Sequence, residues 1–191
     1  SKRIPRKNIK LFHGKPIIAY SIELALNCGL FDAVWVSTED DEIGHNVAHK
    51  YGAQWFKRSP ELAEVDGAPD CGTQEVTRDV LVWLRNQGKD YKHACCVYPT
   101  APMIHYKDLR LASLVVKDDR RAYAYATFSE KDAGQFYFGQ SEAFIKRVPL
   151  THWSTVHIDV GSDSYCDINT RGDWERAEKM YPRWKEKYGT V

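Results

Sequence analysis

Five of the first ten residues, SKRIPRKNIK, are basic: Lys2, Arg3, Arg6, Lys7 and Lys10. The chain as a whole is balanced, with 27 Lys+Arg against 26 Asp+Glu, so the charge is concentrated locally. Two chemistries suit it. One is a solvated basic arm that follows a nucleic-acid backbone or serves as a targeting signal. The other is a phosphate-holding loop, since ammonium groups just ahead of a helix N-terminus neutralise a polyanion and stabilise charge on a departing pyrophosphate. Ile4, Pro5 and Ile9 give the stretch apolar anchors, and it runs directly into a Gly14-Lys15-Pro16 turn and a helical apolar stripe. A loop explains those features better than a tail does, although composition alone leaves both readings open.

Little else in the composition announces chemistry. The seven histidines form no ligand cluster; His45 and His49 share a helix face at i, i+4 but lack a third ligand. The five cysteines are irregularly spaced, with neither zinc spacing nor a disulfide framework, and Cys95 and Cys96 read as reduced core thiols. No apolar run is long enough to span a membrane, and near-zero net charge argues against a nucleic-acid coat. Cytoplasm is the default compartment. A chain of 191 residues suits one domain with a substantial core. Ser1, which opens straight into a charged loop, reads as a cut end.

The elements that would position the chemistry alternate. A helix follows Pro16 with Ile17, Ile18, Ser21, Ile22, Ala25 and Leu26 on one face, and Gly29 stops it. Strands are expected at 33–37, 53–56, 93–98, 123–128, 135–138 and 155–160. Helices are expected at 41–51, capped by Asp40, then at 73–86, at 106–117, and from Gly172 onward with a kink or break at Pro182. Residues 57–72, with Pro60, Gly67 and Pro69, read as a long surface loop. Trp174, Tyr181 and Trp184 read as core or dimer packing. The pattern implies an α/β fold with a mixed, mostly parallel sheet and helices on both faces, and a site beyond the carboxyl ends of the strands.

Seven blocks then carry a resemblance across nearly the whole chain. They are Ser1-Lys2-x-x-Pro5-x-Lys7-Asn8; Gly14-Lys15-Pro16; Val36-Ser37-Thr38-x-Asp40; Arg58-x-x-Glu61-Leu62-Ala63; Tyr98-Pro99-Thr100-Ala101-Pro102; Asp132-Ala133-Gly134-Gln135-Phe136-Tyr137; and Asp167-Ile168-Asn169-Thr170-x-x-Asp173-Trp174. In this order they resemble the acylneuraminate cytidylyltransferase family, and the fifth and sixth blocks are more similar to its pseudaminic-acid branch than to its sialic-acid branch. The resemblance implies a single Rossmann-like nucleotidyltransferase domain over 1–191. It implies an Mg²⁺-dependent reaction in which a nonulosonic acid takes CMP from CTP and pyrophosphate leaves. It also implies a homodimer, while charge balance and hydropathy lead to the expectation of no nucleic-acid or membrane partner. Sialic- or legionaminic-acid enzymes and a catalytically inactive nucleotide-binding homologue are the alternatives.

Residue by residue, the resemblance assigns Lys2 to the CTP phosphates and Lys7 to the α-phosphate transition state. Asn8, Arg58 and Thr73 would contact the nucleotide, and Tyr98, Gln135 and Tyr137 would line the sugar pocket. Asp167 and Asn169 would hold the metal, because strand alternation puts i and i+2 on one side. Three departures stand out. Asn169 replaces a second Asp and brings no charge. A strand expected before Ser1 and a dimerisation arm expected near 129–130 have no counterpart in the sequence.

Overall fold

The computed structural model describes residues 3–59, 62 and 71–189. The basic stretch lies against the body of the protein: Ile4 is buried, and a 3₁₀ turn over Lys7–Ile9 follows Arg6, whose backbone is left-handed (φ 52°). Ile17 N donates to Lys10 O at 3.1 Å, tying the stretch to the helix that follows. In between, β1 (Leu11–Phe12) and β2 (Lys15–Pro16) form an antiparallel ribbon. His13 and Gly14 join them at φ 44° and 91°, the double left-handed conformation a two-residue hairpin needs. Helix α1 (Ile17–Asn27) buries Ile17, Ile18, Ser21, Ile22 and Ala25 as the spacing predicts, while Leu26 of the same stripe is exposed.

A parallel pair comes next, β3 (Trp35–Thr38) and β4 (Gln54–Lys57), joined through a π-helical segment at Ile43–Ala48. Asp40 caps that segment as expected, its Oδ1 accepting from the backbone N–H groups of Glu42 and Ile43. The chain continues through α2 (Cys71–Asn86), β5 (His93–Val97), α3 (Tyr106–Val116), β6 (Tyr123–Phe128), β7 (Lys131–Gln140), α4 (Ser141–Ile145), β8 (Val156–Asp159) and α5 (Arg171–Tyr188). Most of the expected long loop at 57–72 falls outside the described residues.

The expectation of one mostly parallel sheet is corrected. The four-stranded sheet runs β5-β7-β6-β8, with β7 antiparallel to both neighbours and β8 parallel to β6, while β3–β4 stand as a separate pair. The cause is the link between β6 and β7. Ser129 and Glu130 both take left-handed φ, 49° and 65°, and a two-residue connection must return the chain antiparallel. This tight turn occupies the place where the dimerisation arm is expected. It also lengthens β7 from the anticipated 135–138 to Lys131–Gln140. A side chain in the left-handed region costs about 1 kcal/mol, so Glu130→Gly is expected to raise stability by about that much in urea unfolding, with no change in the denaturant slope.

Helices cover both faces of the larger sheet. On one face, Leu109, Ala112 and Val116 of α3 pack on Ala124, Ala126, Phe136, Phe138 and Ile158. On the other, Leu81 of α2 and Ala143 and Phe144 of α4 pack on Tyr123 and Tyr137. Two helices bridge the sheets. Ser21 of α1 donates to Tyr98 O at 2.7 Å, and Trp83 of α2 packs edge-on against Trp35, with ring centroids 5.2 Å apart. The Cys95 and Cys96 thiols are free and half-buried between these layers; desolvation pushes the Cys96 pKa up to about 11 and that of Cys95 well above its ordinary value.

The expected break at Pro182 does not occur, and α5 runs through it. Proline lacks the N–H that would bond the carbonyl four residues back, Glu178 O. His13 Nε2 lies 2.9 Å from that carbonyl and donates to it from the hairpin turn. Trp174, Tyr181 and Trp184 are core residues, packed with Phe12 and Ile168.

Candidate active site

The site is built on the segment joining β8 to α5. Ile168 is fully buried in the core, and its flanking residues Asp167 and Asn169 are half-exposed. A capping box pins the segment to α5. Thr170 Oγ1 accepts from Asp173 N (3.2 Å), and Asp173 Oδ2 accepts from the backbone N–H groups of Thr170 (2.8 Å) and Asn169 (3.1 Å).

The basic loop docks on this segment. Lys7 Nζ donates to Ile168 O at 2.7 Å, and Arg3 Nη2 reaches Asn169 Oδ1 at 3.4 Å. Asn169 Nδ2 in turn donates to Asp167 Oδ2 at 2.5 Å. Burial lowers the Lys7 pKa from its ordinary value, opposed by the charge of Asp167. Burial also raises the Asp167 pKa, partly offset by the Asn169 hydrogen bond and by Lys7, while Asp173 and Asp132 push it further up. The loop therefore brings a partly desolvated ammonium beside a partly desolvated carboxylate.

A second group sits where β5 ends and β7 begins. The Tyr98 hydroxyl lies 2.6 Å from Thr73 Oγ1, and the Tyr98 and Tyr137 rings are 5.5 Å apart. Tyr137 stacks on Tyr125, and its hydroxyl donates to Asp132 Oδ2. Burial is the first cause of the raised pKa of both Tyr98 and Tyr137, so both are neutral hydrogen-bonding groups at physiological pH. Asp132 joins the two groups, bonded to Tyr137 on one side and felt electrostatically by Asp167 on the other.

Lys7, Asp167 and Asn169 thus come together, as do Tyr98 and Tyr137. Thr73 joins the tyrosines. Gln135 is only 2 % exposed; its Nε2 donates to Ser164 O (2.7 Å), and its Oε1 has no hydrogen-bond partner among the described residues. Arg58, just past β4, makes a two-nitrogen ion pair with Glu39. Asn8 stands half-buried on the 3₁₀ turn, its side chain unbonded among the described residues. Lys2 lies outside the described residues, as do Glu61 and Ala63 of the fourth block.

Sequence reasoning named Arg3 only within the basic stretch and Asp132 only within the sixth block, gave neither a role of its own, and did not name Glu39. For Asp132 a signal was there: an Asp two residues before a Gly favours a turn in which the carboxylate accepts from the glycine N–H, and Gly134 N donates to Asp132 Oδ1 at 2.8 Å.

Asp167 and Asn169 offer hard oxygen donors. Among the described residues no three His, Cys, Asp or Glu side chains converge as a metal cage. A divalent cation here would complete its shell with ligand oxygens and water, which is how Mg²⁺ is ordinarily held.

Comparison with known proteins supplies the context for this geometry. The pseudaminic acid cytidylyltransferase of Campylobacter jejuni is 33 % identical over an alignment 217 positions long, covering 95 % of this chain and 91 % of that one. A Helicobacter pylori protein, pseudaminic acid cytidylyltransferase and UDP-2,4-diacetamido-2,4,6-trideoxy-beta-L-altropyranose hydrolase, is 27 % identical over 88 % of this chain and 38 % of its own length. Among solved structures, CMP:2-keto-3-deoxy-manno-octonic acid synthetase complexed with CTP superposes with a TM-score of 0.72. That match covers 96 % of this chain and 94 % of that one at 13 % identity, and shows that the two share a fold. No helix among the described residues is long and apolar enough to cross a membrane. Residues 1–144 match the family described as Cytidylyltransferase, and with the Campylobacter relative this places the chain in it: the protein is a member of the cytidylyltransferase family.

Proposed function

We propose that the protein joins CMP, from CTP, to a nonulosonic acid, with pseudaminic acid as the preferred sugar, on a Rossmann-like nucleotidyltransferase domain. The observation that carries this reading is the seating of Lys7 on the Asp167-Ile168-Asn169 segment, which turns a basic stretch into one wall of a polar site. The pseudaminic choice rests on the Campylobacter relative and on the Tyr98 and Asp132–Tyr137 blocks, which form the second wall.

In this reading the anomeric hydroxyl oxygen of the sugar attacks the α-phosphorus of CTP. The new P–O bond forms as the bond to the β-phosphate oxygen breaks, the hydroxyl proton passes to solvent, and pyrophosphate leaves. Lys7 stabilises the charge that grows on the α-phosphate oxygens, an interaction strengthened by its partial removal from water. Lys2 holds the nucleotide phosphates, Asn8 contacts the nucleotide, and Arg58 reaches the cytidine. Thr73 orients the Tyr98 hydroxyl, and Tyr98 and Tyr137 orient the sugar, with Gln135 bracing β7 behind them. Asp167 would hold Mg²⁺. Its half-buried carboxylate and the all-oxygen donor set fit that ion, which when bound neutralises triphosphate charge. A homodimer and a cytoplasmic setting complete the reading.

One observation favours a second reading. The Asn169 amide carries no charge and points its N–H₂ at Asp167, which suits a protein that binds nucleotide without turning it over. Pyrophosphate release from CTP and Mg²⁺, with pseudaminic, legionaminic and N-acetylneuraminic acids offered in parallel, separates the two. Release fastest with pseudaminic acid supports the proposal. Preference for another sugar reassigns the substrate. Silence with all three, while CTP still binds, moves the protein to the inactive reading.

A further inference from the structure

The Asp167 segment offers one carboxylate where two oxyanions would hold a divalent cation more firmly, and Asn169 does not fill the gap. Its Nδ2 clamps Asp167 Oδ2, and its Oδ1 faces Arg3. Asn169 is therefore placed to orient Asp167 rather than to add charge.

The missing charge is present on another element. The tight Ser129–Glu130 turn sets Asp132 at the start of β7, in register with Thr127. Its carboxylate is fixed from two sides, by Gly134 N on Oδ1 and by the Tyr137 hydroxyl on Oδ2. Each oxygen keeps a lone pair after those bonds. No Lys or Arg pairs with Asp132 among the described residues, though Arg and Lys neutralise many other carboxylates of the chain. Gly134, left-handed at φ 60°, borders both carboxylates: its N–H bonds Asp132 Oδ1 at 2.8 Å, and an added Cβ would come 3.4 Å from Asp167 Oδ1. Two carboxylates sharing a site repel unless a cation lies between them.

We propose that Asp132 supplies the second carboxylate for the divalent cation that Asp167 holds, taking the role for which Asn169 lacks charge. The proposal rests on the cation assigned under the proposed function. It makes the short β6–β7 turn part of the site, since that turn delivers Asp132, and makes Tyr137 a positioning residue for its carboxylate.

The test uses Mn²⁺ as the probe, with bound ion measured by electron paramagnetic resonance on the whole protein with CTP and no sugar. This reads binding, not turnover. Asp132→Asn keeps the acceptor for Gly134 N and is expected to weaken Mn²⁺ binding about tenfold or more, with the thermal melting of the ligand-free protein little changed. Asn169→Asp restores a second carboxylate, so the double variant Asp132→Asn/Asn169→Asp is expected to bind Mn²⁺ within a few-fold of wild type. Wild-type affinity in the folded Asp132→Asn protein overturns the inference, and so does failure of Asn169→Asp to rescue it. Should Asp132→Asn not fold, the Tyr137→Phe protein decides: weakened Mn²⁺ binding supports the inference and unchanged binding overturns it. A wild-type protein that binds CTP but no Mn²⁺ removes the cation itself, and the proposed cation role of Asp167 with it.

Discussion

Lys7→Ala is expected to reduce kcat by roughly 10²–10³-fold, the usual effect of removing one preorganised charge from a developing oxyanion. The Nζ group is held at 2.7 Å by Ile168 O, so it is aimed before substrate arrives and needs little reorganisation in the transition state. KM for CTP should rise far less than kcat falls, because other groups share the ground-state phosphates. Lys7→Arg should rescue poorly, since a planar fork cannot keep both the carbonyl bond and a point charge at one position. The pH profile is a separate check. Burial lowers the Lys7 pKa, so the ammonium is lost at a lower pH than for an ordinary lysine, and kcat should decline correspondingly early on the alkaline side. Steady-state pyrophosphate release between pH 7 and 10 measures both effects. A loss smaller than tenfold would remove Lys7 from the chemistry.

Asp167→Asn should act in opposite directions on activity and on stability. Turnover should fall by roughly 10²-fold or more and lose its response to added Mg²⁺, because the half-buried charge that would hold the cation in the proposed reading is gone. The ligand-free protein should melt at a higher temperature at pH 7. The sign follows from burial. The folded-state pKa of Asp167 lies above its unfolded value, so the ionised form is disfavoured in the fold. That penalty is fully present above the folded pKa and disappears as pH falls below the ordinary carboxylate range. The gain in melting temperature should therefore shrink on acidification toward pH 3.5. Asparagine keeps an acceptor for Asn169 Nδ2, which limits structural side effects. Thermal melts at both pH values with a Mg²⁺ titration of turnover provide the check, and a variant no more stable than wild type at pH 7 would contradict the burial argument.

Local patterns were legible in the sequence, and long-range geometry was not. The α1 stripe, the Asp40 cap and the strands at Trp35, His93 and Tyr123 follow from spacing and turn residues. The antiparallel course of β7 does not, because Ser129-Glu130 lacks the Asn-Gly signature of the turn it adopts. The block order brought Lys7, Asp167 and Asn169 to one site. It could not show that Asn169 turns its amide onto Asp167, since that depends on where Arg3 and Lys7 land 160 residues away in sequence. Gln135 shows the same limit: identity placed it beside Tyr137, while packing directed it to Ser164 O.

The bond between His13 and Glu178 has a consequence for how the sequence can change. A proline inside a helix is ordinarily a defect that any residue with an N–H would repair. Here the defect is already repaired by an imidazole 165 positions upstream of Glu178, so the sites at 13 and 182 are not independent. Replacing Pro182 would provide an N–H that competes with His13 for one carbonyl, and replacing His13 would expose the missing bond at Pro182. Each substitution alters the worth of the other. Positions 13 and 182 are therefore expected to drift together, joining the hairpin before α1 and the last helix into one evolutionary unit.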